Sequence, residues 1–216
     1  MKNEIYKRII SSIILIPIAL FFIIKGSFLF NFFISICLII TAYEWHMMSK
    51  NKFYNIFGFI FIIVSFYSIY FMRNNFSGDY LLFLMISLIC VSSDIGGYIF
   101  GKLFKGPKLT KFSPNKTYSG MIGGFFLSII SISFFSAEYL DVSTELTLEL
   151  FIFVLLVSSM SQIGDVIISY FKRLSKIKDT GKIIPGHGGL LDRVDGMLFA
   201  FPFSNLILSI GIFQYF

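Results

Sequence analysis

The chain has 216 residues, 56% of them hydrophobic and 14% charged, with a formal net charge of +6. A water-soluble domain of this length carries about 25% charged residues, so a single water-facing globule is excluded and an all-α, polytopic membrane helical bundle is expected. The positive balance fits loops that face anionic lipid, and no nucleic-acid partner is expected.

A span needs about 20 mostly apolar residues. Seven candidates follow in chain order: 9–24, 28–43, 53–72, 80–99, 121–137, 149–170 and 197–215. The first follows Lys7 and Arg8, as the apolar core of a signal peptide would. No small-x-small cleavage site follows it, and "FFIIKGSFLF" runs straight into the second apolar stretch, so a retained helix is expected. Cys37 and Cys90 lie inside apolar stretches and read as buried thiols rather than a disulfide. The segment "EWHMMSK" after the second span reads as an interfacial belt around Trp45, with His46 beside it.

Seven spans place the termini on opposite sides of the bilayer. The N-terminus and the segments 44–52, 101–120 and 172–193 hold 16 of the 18 Lys and Arg residues. The opposite side keeps Lys25 and Arg73, and its longest loop, 138–149, carries Glu138, Asp141, Glu145 and Glu149. The basic segments are therefore expected in the cytoplasm.

Two spans that lead into long basic loops contain a carboxylate: Asp94 in "CVSSDIGGYIFG" and Asp165 in "SSMSQIGDVIISYFKR". A charge at the bilayer centre costs about 2.5–3.5 kcal/mol on insertion scales, so each needs a partner or a water-filled cavity. Helical spacing puts Asp165, Ser169 and Lys172 on one face. Asp192 and Asp195, three apart, share a face if the last helix starts near residue 191. Oxygen-only ligands of this type suit Mg²⁺, and nothing suits zinc. Between these carboxylates, "KRLSKIKDTGKIIPGHGG" combines Lys172, Arg173, Lys176, Lys178 and Lys182 with Gly186, Gly188 and Gly189. Cations beside exposed backbone N–H groups make a phosphate cradle. The other basic loop, "GKLFKGPKLTKFSPNKTYSGMIGG", offers Lys116 and Thr117 as further phosphate contacts. Its Gly123 and Gly124 read as close helix packing. His187 is open to two readings, a general base or a hydrogen-bonding element of the glycine turn.

The run Ser169-Tyr170-Phe171-Lys172-Arg173, Lys178-Asp179, Gly181, Ile184-Pro185, His187-Gly188-Gly189, Asp192-Arg193 and Asp195 resembles the signature of the phosphatidate cytidylyltransferases, or CDP-diacylglycerol synthases. So do Gln162-Ile163-Gly164-Asp165, Asp94-Ile95-Gly96-Gly97-Tyr98, Gly101, Ser113-Pro114, Lys116-Thr117 and Gly120. Asn115 stands where the family usually has a second Lys, and Ser119 where it often has an acid.

The resemblance implies transfer of a cytidylyl group from CTP to phosphatidate, giving CDP-diacylglycerol and pyrophosphate. It divides the chain into N-terminal transmembrane helices over 1–80, about three spans, and a catalytic transmembrane region over 81–216. Asp165 and Asp192, with Asp195 as a third, would bind Mg²⁺, and K⁺ would be a second cation. Lys172, Arg173, Lys178 and Arg193 would hold phosphates. Asp179 and His187-Gly188-Gly189 would shape the nucleotide pocket, and Lys116 and Thr117 would close it. Asp94 would support the cavity or pair with a base. Alanine at Asp165 or Asp192 would then abolish Mg²⁺-dependent turnover and leave folding intact. The resemblance further implies a homodimer in the inner membrane with its active site facing the cytoplasm. A second membrane nucleotidyl or phosphatidyl transferase chemistry is the nearest alternative. A secondary transporter would also carry intramembrane carboxylates, but the acids here gather towards one interface and no inverted repeat is visible.

Overall fold

The computed structural model describes residues 2–74, 80–139, 147–186, 188–211 and 213. Asp141, Glu145 and His187 lie outside the described residues. Among the described residues there are seven helices: α1 (Lys2–Lys25), α2 (Ser27–Ser49), α3 (Asn55–Asn74), α4 (Leu81–Phe104), α5 (Tyr118–Tyr139), α6 (Leu148–Leu174) and α7 (Leu191–Ser209). They follow the seven expected segments in order. Helices α2 to α6 each contain a stretch long and apolar enough to cross a membrane. α7 carries Asp192, Arg193 and Asp195 in its first turns. Large apolar side chains are exposed along these helices, among them Ile13, Phe28, Ile39, Phe57, Tyr98 and Phe134, as lipid-facing side chains are. The protein is an all-α, multi-pass membrane protein.

The helices outrun the apolar segments. α2 ends at Ser49, α4 at Phe104 and α6 at Leu174, and α7 begins at Leu191 rather than near 197. Hydropathy marks where lipid contact can occur, whereas Lys, Arg and Glu are good helix formers that carry the backbone pattern beyond it.

The chain divides into two compact units, each discontinuous in sequence: Met1–Tyr80 with Phe171–Asp195, and Leu81–Tyr170 with Gly196–Phe216. In the first unit, Gly26 separates α1 from α2 with a φ of 63°, a conformation in which a Cβ would be strained. Arg73, at the end of α3, ties this corner by donating from Nε to the Ile23 carbonyl at 2.8 Å, under the rings of Phe30 and Tyr80. Trp45 is buried, donates from Nε1 to the Asn55 carbonyl at 3.0 Å and meets Phe171 edge-on. It anchors the α2–α3 turn internally, its indole N–H satisfied by that part-buried carbonyl.

In the second unit, α4 and α5 are in backbone contact through glycine. A Cβ on Gly96 would collide with the Gly123 carbonyl, and one on Gly120 would lie 2.7 Å from the Gly97 carbonyl. A Cβ on Gly124 would lie 2.9 Å from the Ser93 carbonyl. Small residues let membrane helices approach until packing and interhelical hydrogen bonds hold them. Here Ser128 Oγ donates to the Ile89 carbonyl at 3.1 Å, and Ser158 Oγ to Ser93 Oγ at 3.0 Å. The packing role expected for Gly123 and Gly124 is what the helix pair displays. Gly96→Val is expected to destabilise the detergent-purified protein by about 2–3 kcal/mol, read as a lowered thermal unfolding midpoint. The backbone atoms it meets cannot move aside as a flexible side chain would.

Candidate active site

Each basic loop is organised by a carboxylate and a lysine. In the second unit the loop after α4 folds back on itself: Leu109 N donates to the Lys116 carbonyl at 2.8 Å, and Tyr118 N to the Pro107 carbonyl at 3.2 Å. Ser113-Pro114 makes the turn, closed by Lys116 N donating to the Ser113 carbonyl at 3.0 Å. Thr117 then caps α5, its Oγ1 accepting from Gly120 N at 3.1 Å, which satisfies one of the free amides of a helix start. This fold directs Lys116 to α6, where its Nζ lies 2.5 Å from Asp165 Oδ2. Asp165 Oδ1 accepts from Ser169 Oγ at 3.3 Å, the neighbour one turn on. The partner that an intramembrane Asp165 needs is therefore Lys116. Asp94 lies midway along α4 and is exposed.

Ser169→Ala removes one hydrogen bond of moderate length from Asp165 and nothing else shown. Turnover is expected to fall no more than about fivefold, equivalent to about 1 kcal/mol, as measured by initial rates of lipid product formation.

In the first unit the loop between α6 and α7 is held at both ends. Ile184 and Gly188 exchange backbone hydrogen bonds at 3.0 and 3.2 Å across the Pro185-Gly186 turn. Gly186 and Gly188 have φ of 76° and 91°, a conformation that glycine adopts without the strain of a Cβ. Ser11 of α1 donates to the Pro185 carbonyl at 3.2 Å. Asp192 draws the loop's two ends together. Its Oδ2 accepts from Thr180 N at 2.8 Å and Gly189 N at 3.0 Å, and its Oδ1 faces Lys172 Nζ at 2.9 Å. Lys172 and Asp192 are nearly withdrawn from solvent, with side chains 11% and 6% exposed. Asp195 is buried one turn further along α7. Arg173, Lys178, Asp179, Lys182 and Arg193 are exposed, and Arg173 donates to the Ile177 carbonyl at 3.2 Å.

The structure thus joins Lys116 with Asp165 and Ser169 in one unit, and Lys172 with Asp192 and Gly189 in the other. Within neither unit do three or more His, Cys, Asp or Glu side chains gather as a metal site among the described residues. The donor chemistry nonetheless suits Mg²⁺: Asp165 and Asp192 present hard carboxylate oxygens, each facing a cationic ammonium.

One residue of this architecture is absent from the sequence-based set. Glu44 of α2 is 1% exposed. Its carboxylate accepts from Thr180 Oγ1 at 3.1 Å, Leu190 N at 3.0 Å and Leu191 N at 2.8 Å. The signal was a carboxylate closely following the apolar stretch "ISICLIITAY", the same kind of signal that singled out Asp94 and Asp165. The interfacial reading of "EWHMMSK" gives that carboxylate no partner.

A model of the family described as "Cytidylyltransferase family" matches residues 52–211. The chain is 35% identical over 207 residues to a phosphatidate cytidylyltransferase of Rickettsia bellii, an alignment covering 93% of this chain and 89% of that one. It is 36% identical over 207 residues to the enzyme of the same name in Rickettsia conorii, covering 91% and 88%. With that of Staphylococcus saprophyticus it shares 35% identity over 182 residues, covering 81% and 67%. On the matched length and these identities, the chain belongs to the cytidylyltransferase family.

Proposed function

We propose that this protein is a phosphatidate cytidylyltransferase, which transfers a cytidylyl group from CTP to phosphatidate and releases pyrophosphate. The observation that carries the reading is the glycine and lysine loop 172–193, held by Asp192 in a chain so similar throughout to enzymes of that name. A phosphate oxygen of the lipid attacks the α-phosphorus of CTP; the bond from that phosphorus to the bridging oxygen breaks, and pyrophosphate leaves with the electron pair. The attacking oxygen is already anionic at neutral pH, so no general base is required. The protein's work is alignment and charge neutralisation.

Lys172, Arg173, Lys178 and Arg193 supply cations for the phosphates, and the amides and φ-positive glycines of the loop give close backbone approach. Asp179 and His187-Gly188-Gly189 shape the nucleotide pocket, and Lys116 is a further phosphate contact. Thr117 is another phosphate contact beside it, its oxygen also capping α5. The ligands we assign to Mg²⁺ are Asp165, Asp192 and Asp195, with K⁺ as a second cation. Mg²⁺ when bound supplies neutralisation of the triphosphate and of the leaving pyrophosphate. An inner-membrane location with both basic loops in the cytoplasm fits the charge distribution, since 16 of 18 Lys and Arg residues lie in the segments assigned to that side. A homodimer completes the proposal.

The test is incorporation of labelled CTP into lipid by the purified protein, with and without phosphatidate and Mg²⁺. Label is expected in CDP-diacylglycerol only when both are present, and it should be lost on chelation. Failure to form that lipid under any of these conditions would remove the reading.

A further inference from the structure

We propose that Glu44 is a positioning residue for cytidylyl transfer, holding the loop 172–193 in its working shape from a helix that lies outside the catalytic signature. The proposal rests on the functional reading above. It begins with what α7 lacks. Leu190 occupies the capping position of that helix, its carbonyl accepting from Arg193 N at 2.9 Å and Val194 N at 3.2 Å. Leucine has no side-chain oxygen with which to cap, so the amides at the helix start need another acceptor. Glu44 supplies it from α2, taking Leu190 N on Oε1 and Leu191 N on Oε2.

The same carboxylate also takes Thr180 Oγ1, twelve residues before Asp192 on the far limb of the loop. Two carboxylates therefore clasp the same two limbs. Glu44 binds the Thr180 hydroxyl and the amides of Leu190 and Leu191, while Asp192 binds the amides of Thr180 and Gly189. A buried carboxylate is tolerated only when its oxygens are satisfied in this way.

The loop's composition records the fit. A Cβ on Gly181 would come within 2.5 Å of Glu44 Oε1, and one on Gly189 within 2.5 Å of Oε2. These glycines leave the space that the Glu44 carboxylate fills. Glu44 thus acts through Asp192 and, by way of Asp192, through Lys172. With Glu44 removed, Thr180 and the start of α7 are free to separate, and the phosphate-holding groups lose their common register.

The experiment uses the full chain purified in detergent. Glu44→Gln keeps size and shape but turns one acceptor oxygen into an NH₂ that faces N–H donors. Its folded protein is expected to show a KM for CTP raised about tenfold, and trypsin cleavage after Lys176, Lys178 or Lys182 accelerated about tenfold, as local opening of a segment predicts. Helix content by circular dichroism should stay at the wild-type value. Thr180→Val removes one bond of the clasp from the loop side and is expected to produce the same two changes at about threefold. The double variant should be no worse than Glu44→Gln by more than about twofold, since both remove one contact network.

Wild-type KM and cleavage rate in folded Glu44→Gln would overturn the proposal. So would activity lost only in proportion to unfolded protein. If Glu44→Gln does not fold, Thr180→Val decides by the same two measurements, wild-type values again overturning it. Cleavage needs no turnover, so a wild-type protein that makes no CDP-lipid would sink the functional reading while leaving the hold of Glu44 on the loop open to measurement.

Discussion

Asp192→Asn is expected to lower cytidylyl transfer about 100-fold or more and also to destabilise the protein by about 2–4 kcal/mol. The sequence alone suggested a variant without activity but with intact folding. The structure changes that expectation, because both carboxylate oxygens of Asp192 are engaged in holding the loop. Asparagine retains one carbonyl oxygen and presents an NH₂ where the second stood. If the carbonyl serves the amides of Thr180 and Gly189, the NH₂ is turned on Lys172, and an ammonium that is only 11% exposed loses its counter-charge. If it is turned the other way, two backbone donors are left facing another donor. Neither arrangement satisfies all three partners, and a largely buried charge without its partner is strongly unfavourable. The two losses are separable. Thermal unfolding in detergent reads the stability change, and turnover per folded molecule reads the catalytic one. An Asp192→Asn protein of wild-type stability would show that the clasp around Thr180 and Gly189 contributes little. Wild-type turnover would remove Asp192 from the reaction.

The number and order of the helices were legible because a membrane span is written in length and apolarity, and both survive in a single sequence. Hydropathy alone starts the last span at 197, because Asp192, Arg193 and Asp195 do not read as apolar, whereas the face shared by Asp192 and Asp195 requires a helix from near 191, where α7 begins. The i, i+4 relation of Asp165 to Ser169 followed from helical spacing and appears as a hydrogen bond. The pairing of Asp165 with Lys116, 49 residues away, did not follow from spacing. It depends on the Thr117 cap and on the fold-back between Leu109 and Lys116, which no periodicity announces. The cap that Thr117 places on α5 is likewise a local contact that spacing does not announce. Glu44 shows the same limit from the other side. Its chemistry was visible, but its partners are 136 and more residues distant. Charge counting treats a carboxylate near a span end as solvated, whereas the fold buries it against the amides of another helix.

Asp165→Asn is expected to reduce turnover about 100-fold with a stability change of no more than about 1 kcal/mol. The contrast with Asp192 comes from burial and from what each carboxylate holds. Asp165 and Lys116 are each 25% exposed, and Asp165 accepts one further shown hydrogen bond, from Ser169. An ion pair of that exposure contributes little net stability, because solvent screens it and both side chains lose freedom in making it. Its removal should therefore leave the glycine contact of α4 and α5 standing. Lys116→Gln is the informative companion. If Lys116 serves only to balance Asp165, its loss leaves KM for CTP unchanged. If it also neutralises triphosphate, as proposed, KM for CTP rises about tenfold, the worth of one charge-assisted contact. The Mg²⁺ concentration for half-maximal rate separates the two side chains further. It should rise in Asp165→Asn, which replaces an anionic carboxylate ligand by a neutral amide, and should not rise in Lys116→Gln, which removes a competing cation. The reverse order would mean that Asp165 serves the loop fold and is not a ligand of the ion. The metal assignment would then fall to Asp192 and Asp195, the carboxylates at the start of α7.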